Sequence, residues 1–148
     1  MKRVSAVPVL QIAGAYTALD CAGALLTFAD AAASSNGYVA RLRRVHVKDN
    51  ASISAEFTLY LFSASPTAAA RTDADIFAPA DADAALILDS VAVATADYFD
   101  QTANSFATVE VDKSLQLTSS GSLYGVIVLV GTPTFIAATD LTITLEFE

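Results

Sequence analysis

The chain has 148 residues, 54% of them apolar and 16% charged, so it is long enough to bury a core and too apolar to stay disordered. Sixteen acidic side chains against eight basic ones give a formal charge of -8, which repels a phosphate backbone and makes nucleic acid a poor partner. The single cysteine, Cys21, excludes an intrachain disulfide and a cysteine-based zinc site, and no run approaches the ~18 apolar residues that span a bilayer, so no membrane partner is expected.

Met1-Lys2-Arg3 followed by residues 4–12 makes a poor secretory signal, because the apolar stretch is short and broken by Ser5, Pro8 and Gln11. Residues 1–15 are expected instead to form an edge strand or an arm lying on a neighbour, since Pro8 cannot donate to a ladder; Val4, Val7, Pro8 and Leu10 are its contact candidates. A strand is expected at 24–28. The small residues Ala22, Gly23 and Ala24 let another backbone come close, and Cys21 beside them reads as a small buried hydrophobe.

Asn36-Gly37 is a turn pair and leads into a strand at 38–48 that carries Arg41, Arg43, Arg44, His46 and Lys48, the one basic patch. The 55–62 strand puts Phe57, Leu59 and Leu61 on one face and Thr58, Tyr60 and Phe62 on the other, so both sides are expected to be at least partly covered. Over 63–85 the pattern disappears among Pro66, Pro79, Asp73, Asp75, Asp81 and Asp83. A loop of that length is expected to be functional or to hold short helical turns, with Asp81 or Asp83 capping one of them.

Strand character resumes at 86–93 and, after a polar connector, at 106–111 and 114–118, which read as a hairpin turning at Asp112-Lys113. Residues 126–130 are apolar on both faces and belong inside the sheet system. After a break at Thr132-Pro133-Thr134, the chain alternates strictly: Leu141, Ile143, Leu145 and Phe147 on one face, Thr142, Thr144 and Glu146 on the other. Eight or nine strands, long crossovers after Phe62 and Val93 and no long amphipathic helix predict an all-β chain. The expected fold is a single-domain β-sandwich over 16–148, jelly-roll-like or Greek-key, with 1–15 as its arm.

The residues do not point to a reaction. The aspartates at 73, 75, 81 and 83 lack the glycine turn and terminal glutamate of a calcium loop, and nothing fixes two of them as a glycosidase pair. His46 is the only histidine. Pairing it with a serine or with Cys21 fails for want of a nucleophile elbow and because apolar surroundings raise a thiol pKa. No enzyme activity, metal or cofactor is expected. The basic strand suits phosphate, an acidic protein surface or plain solvent, and equally an intersubunit pairing with the 73–100 segment, which has seven aspartates and no Lys or Arg; complementary patches on one molecule favour self-association. Arg41, Arg43, Arg44, Asp73, Asp75, Ile76, Phe77, Asp81 and Asp83 are therefore interface candidates.

Several blocks resemble the small virion structural proteins of tailed bacteriophages. They are the Ala15-Tyr16 segment through Asp20, Gly23 and Leu25-Leu26-Thr27-Phe28, then Leu59-Tyr60-Leu61-Phe62 with the 76–83 loop, and finally Ser122-Leu123-Tyr124-Gly125, Gly131-Thr132-Pro133-Thr134 and 140–145. The resemblance implies a capsid decoration or cement protein: a β-sandwich subunit, commonly a homotrimer, on the outer capsid surface, bridging copies of the major capsid protein. It implies no cofactor and carries no catalytic residues over. A tail or head-fibre component and a carbohydrate-binding β-sandwich module are the competing expectations.

Overall fold

The computed structural model describes residues 1–148. Nine strands form: β1 (Lys2–Ala6), β2 (Leu26–Phe28), β3 (Val39–Asp49), β4 (Phe57–Phe62), β5 (Ile87–Val93), β6 (Tyr98–Asp100), β7 (Ser105–Gln116), β8 (Leu123–Leu129) and β9 (Leu141–Phe147). One four-residue helix, α1 (Asp81–Ala84), and short 3₁₀ turns at 34–36, 68–70 and 95–97 complete it.

The alternating β9 sits between β1 and β3 in a five-stranded sheet of order β1-β9-β3-β7-β6, and a four-stranded sheet of order β2-β8-β4-β5 packs against it. Every neighbouring pair is antiparallel. With the three-residue β6 set aside as an extension beyond β7, the chain passes from one sheet to the other at every connection but β4 to β5. That wrapping is a jelly roll, with the first strand paired to the last.

The side-chain period builds the core between the sheets. Leu141, Ile143, Leu145 and Phe147 of β9, Val45 and Val47 of β3, and Phe57, Leu59 and Leu61 of β4 point into one cluster of 28 buried residues. β8 is different, because Val126 and Val128 face away from that cluster and are still buried. They join Phe62 and Cys21 in a second apolar cluster on the outer side of the four-stranded sheet, with Leu25, Tyr60, Phe77, Leu86, Ile87 and Tyr124 packed against it.

The 63–86 loop supplies part of that cover. It leaves the end of β4, bridges Cys21 beyond β8 through Asp73, and returns to β5, so it traverses the breadth of the sheet. On the way Phe77 meets the Tyr60 ring of β4 at 4.6 Å between centroids. The apolar two-faced strands and the patternless loop are thus one arrangement: the loop covers the face that the strands leave apolar. The expected short helical turns are present, as the 68–70 turn and α1.

Two expectations are corrected, at the hairpin and at the polar connector, and the expected N-terminal edge strand forms over a shorter span. Residues 106–118 do not form a hairpin; β7 runs straight through as a twelve-residue strand. Asp112 adopts φ 53°, and the register against β3 steps from Arg44↔Glu110 to Leu42↔Lys113, so the break in pattern is a β-bulge and not a turn. The first strand covers Lys2–Ala6, at the edge beside β9, and ends before Pro8, whose missing N–H would leave the ladder open. The polar connector after Val93 contains β6, three residues paired to the start of β7.

Candidate interaction surface

The basic residues of β3 come first, because the sequence singled them out. A register shift at Leu42/Arg44 lets both Arg43 and Arg44 face outward, and each finds an acid on a neighbouring strand. Arg41 and Arg43 reach Asp112 at 3.0 and 3.1 Å and Glu148 at 3.3 and 3.2 Å, while Arg44 holds Glu110 at 2.5 Å. Glu146 of β9 is fully covered by Arg3 at 2.6 Å, Arg44 at 3.1 Å and His46 at 3.2 Å. The Arg3 and His46 hydrogen bonds, with the charges of Arg3 and Arg44, hold the Glu146 carboxyl below its ordinary value, and Arg41 does the same for Asp112.

Within the chain, Arg41, Arg43 and Arg44 pair with acids at 110, 112, 146 and 148 and not with the 73–100 segment. Sheet register decides it: Arg44 stands opposite Glu110 on β7 and Glu146 on β9, and Arg41 and Arg43 reach Asp112 at the bulge and Glu148 just past β9. The cleft of about 260 Å³ bounded by Met1, Arg43, Arg44, Glu146 and Glu148 lies in this lattice and offers arginines already engaged.

The acidic loop also uses its charges internally. Asp73 accepts the Tyr16 hydroxyl at 2.7 Å and the Gly23 N–H at 2.6 Å. Asp83, buried, accepts the Thr67 hydroxyl and N–H and the Ala80 N–H, and the Thr67 hydroxyl bond leads the effects that lower its pKa. Asp75 lends its carbonyl to the Cys21 N–H; its side chain and that of Asp81 remain exposed. No three of the His, Cys, Asp and Glu side chains gather where they could hold a metal ion. Cys21 is buried, and desolvation followed by Asp20, Asp75 and Asp73 pushes its thiol up to about 11.

What the chain does present is apolar and lies on one flank. Of the eleven large apolar side chains left exposed, seven are Val7, Val9 and Ile12 of the arm with Leu19 just after it, Ile76 of the acidic loop, and Val130 and Ile136 of the β8–β9 loop. These three segments are hydrogen-bonded together. Leu10 donates to Ala138, Tyr16 to Pro133 and Leu19 to Leu129, while Phe77 donates to the Leu19 carbonyl. Pro8 and Leu10 are buried beneath, Val4 and Phe77 are half-buried, and Ile76 is 64% exposed.

Tyr16 is the knot of this flank. Its ring packs edge-on against Phe135 at 5.8 Å, its hydroxyl donates to Asp73 and accepts from the Gln11 N–H, and so one side chain ties arm, loop and β8–β9 connection. Burial, then the Asp73 bond, pushes the phenol well above its ordinary value. Gly23 closes the arm: it sits at φ 79°, and a Cβ there would stand 2.5 Å from the Pro8 Cβ. The small residues expected to admit a backbone do admit one, the chain's own arm. Leu19, Val130 and Ile136 were not singled out from sequence as surface residues, because the contacts that group them are between loops without a period.

Comparisons with protein families, with curated proteins and with solved structures found no match for this chain.

Proposed function

We propose that this chain is a non-enzymatic structural protein of a tailed-bacteriophage virion, a decoration protein that binds the outer capsid surface as a homotrimer and clamps neighbouring copies of the major capsid protein. The observation that carries the reading is the flank: seven exposed aliphatic side chains on three loops knitted to a rigid jelly roll. Jelly rolls serve shells and lectins alike, so the fold alone does not choose. The flank's Val, Ile and Leu side chains offer no aromatic platform for a sugar and suit a protein surface.

The mechanism is mechanical. A shell under pressure from its packaged genome holds better when apolar and hydrogen-bonding surface is buried across capsomer joints, because that interface free energy must be lost before capsomers part. A sandwich whose four arginines on the five-stranded sheet are already paired within the chain does not need to rearrange them to dock. The test is a side-chain-resolution reconstruction of the virion, together with thermal disruption of heads with and without the protein. Density for the chain on the outer shell and a higher disruption temperature are expected. Its absence from the particle, or density on the tail alone, refutes the reading.

A further inference from the structure

We propose that Glu146 is an acid-sensitive latch on the first strand: protonating its carboxylate frees β1 from the edge of the five-stranded sheet while the rest of the sandwich stays folded.

The sheet register puts the carboxylate between two cations. Glu146 stands opposite Arg3 of β1 on one side and Arg44 of β3 on the other. It is fully buried although it belongs to the outer face of the sheet, because those side chains close over it. Its Oε2 takes Arg3 at 2.6 Å and lies 3.2 Å from His46 Nε2, and its Oε1 takes Arg44 at 3.1 Å. The nearest further charges, Arg43 and Glu148, border the adjoining cleft with Met1 and neutralise each other at 3.2 Å.

The two arginines do not depend on Glu146 equally. Arg44 also holds Glu110 of β7, whereas Arg3 reaches no other acid. β3 is paired along both of its edges; β1 is paired along one, over five residues, and none of its side chains is fully buried. Its remaining side-chain ties are Ser5 to the Thr144 hydroxyl at 2.7 Å and the Lys2 ammonium to the Asp30 carbonyl. Loss of the Glu146 charge therefore falls on β1. Once the carboxyl is neutral, Arg3 also faces Arg44 and the imidazolium that histidine becomes in acid with no anion between them, so the strand is repelled as well as untied. The carboxyl is held below the ordinary glutamate value, with the Arg3 hydrogen bond as the leading cause. The tie is thus complete above that value and is lost as pH falls through the lowered one.

Release stops at the arm. Pro8 is buried against Gly23 and Leu10 donates to the Ala138 carbonyl, so residues 1–6 swing out alone and uncover the β9 edge from Ile143 to Phe147.

The test is amide hydrogen exchange of the full chain, read by mass spectrometry from pH 7 down through the carboxylate range as protection relative to the intrinsic rate at each pH. Protection of residues 2–6 is expected to drop about tenfold or more while β4 and β8 keep theirs. Glu146→Gln is expected to show the lowered β1 protection already at pH 7, with no further drop in acid. Arg3→Gln changes a side chain that is 63% exposed and leaves Arg44 and His46 on the carboxylate, so it is expected to fold and to behave in the same way; it decides the matter should glutamine at the buried position prevent folding. Wild-type β1 protection that holds in acid, that drops only together with β4 and β8, or that still drops in Arg3→Gln overturns the latch.

Discussion

The two outer faces of the sandwich are closed by opposite means. The four-stranded sheet leaves Phe62, Val126 and Val128 apolar on its outer side and buries them under side chains from the 19–25 and 63–86 segments. The five-stranded sheet keeps an outer face of charged and polar side chains that neutralise one another across strands, with Glu146 at their centre. The first solution fixes a loop and so shapes the flank that it helps to build. The second fixes nothing beyond the sheet itself.

The largest effect expected from breaking this contrast is at Phe62, fully buried on the covered face. Phe62→Ala is expected to cost about 3–5 kcal/mol of unfolding free energy in urea, the range for a buried aromatic cut to alanine. Cys21 in the same cluster provides a second readout, because its thiol is inaccessible and reluctant to ionise until the cover lifts. Labelling of Cys21 under native conditions is expected to be faster in the variant. A loss below about 1 kcal/mol with unchanged labelling means that the loop does not depend on this cluster.

Gly23→Ala comes next, at the junction of cover and arm. The new Cβ meets the rigid Pro8 ring and an unfavourable φ at once, so a loss of about 1–3 kcal/mol is expected. Limited proteolysis localises it: cleavage is expected to appear within residues 7–15 while the jelly-roll core persists. Uniform destabilisation without local cleavage removes the idea that Gly23 seats the arm.

Much of this contrast was legible in the residues. Strict alternation in 141–147 marked a strand with one wet face, and the apolar run at 126–130 marked one with two dry faces; both hold, except that Val130 falls past the end of β8 and stands exposed. The basic strand was legible as a patch but not by its partners, because cross-strand neighbours depend on register and the bulge at Arg43 and Arg44 shifts it by one. Asp112-Lys113 read as a turn for the same reason, since a bulge and a turn both interrupt alternation. The flank was half visible. Ile76 and Val7 were named, whereas Leu19, Val130 and Ile136 are grouped only by loop-to-loop hydrogen bonds that no period announces.

On the charged face the effect is smaller and depends on pH. The folded protein holds the Glu146 carboxyl below the ordinary glutamate value of 4.5, so its charge stabilises the fold at neutral pH. That contribution is present above the ordinary value and is lost as pH falls through the lowered one. Glu146→Gln is expected to lower the urea midpoint at pH 7, with the difference shrinking as pH falls through the lowered value and the wild-type carboxyl takes up its proton. A difference independent of pH means that Glu146 acts through shape and not charge.

The smallest expected effect lies at the corner between the sheets. Lys113, carried outward just past the bulge of β7, meets Asp89 of β5 at 3.6 Å, with 59% of the lysine side chain exposed. An exposed pair at that distance is screened by water and salt and must hold a flexible side chain in place, so Lys113→Ala is expected to change stability by no more than about 0.5 kcal/mol, less at high salt. The corner is then held by apolar contacts such as Val91, Val93 and Leu115, all buried in the shared core. A loss above about 1 kcal/mol that salt abolishes places the corner with Glu146 among the charge-dependent parts of the molecule, and narrows the contrast between the two faces to the loop-covered sheet alone.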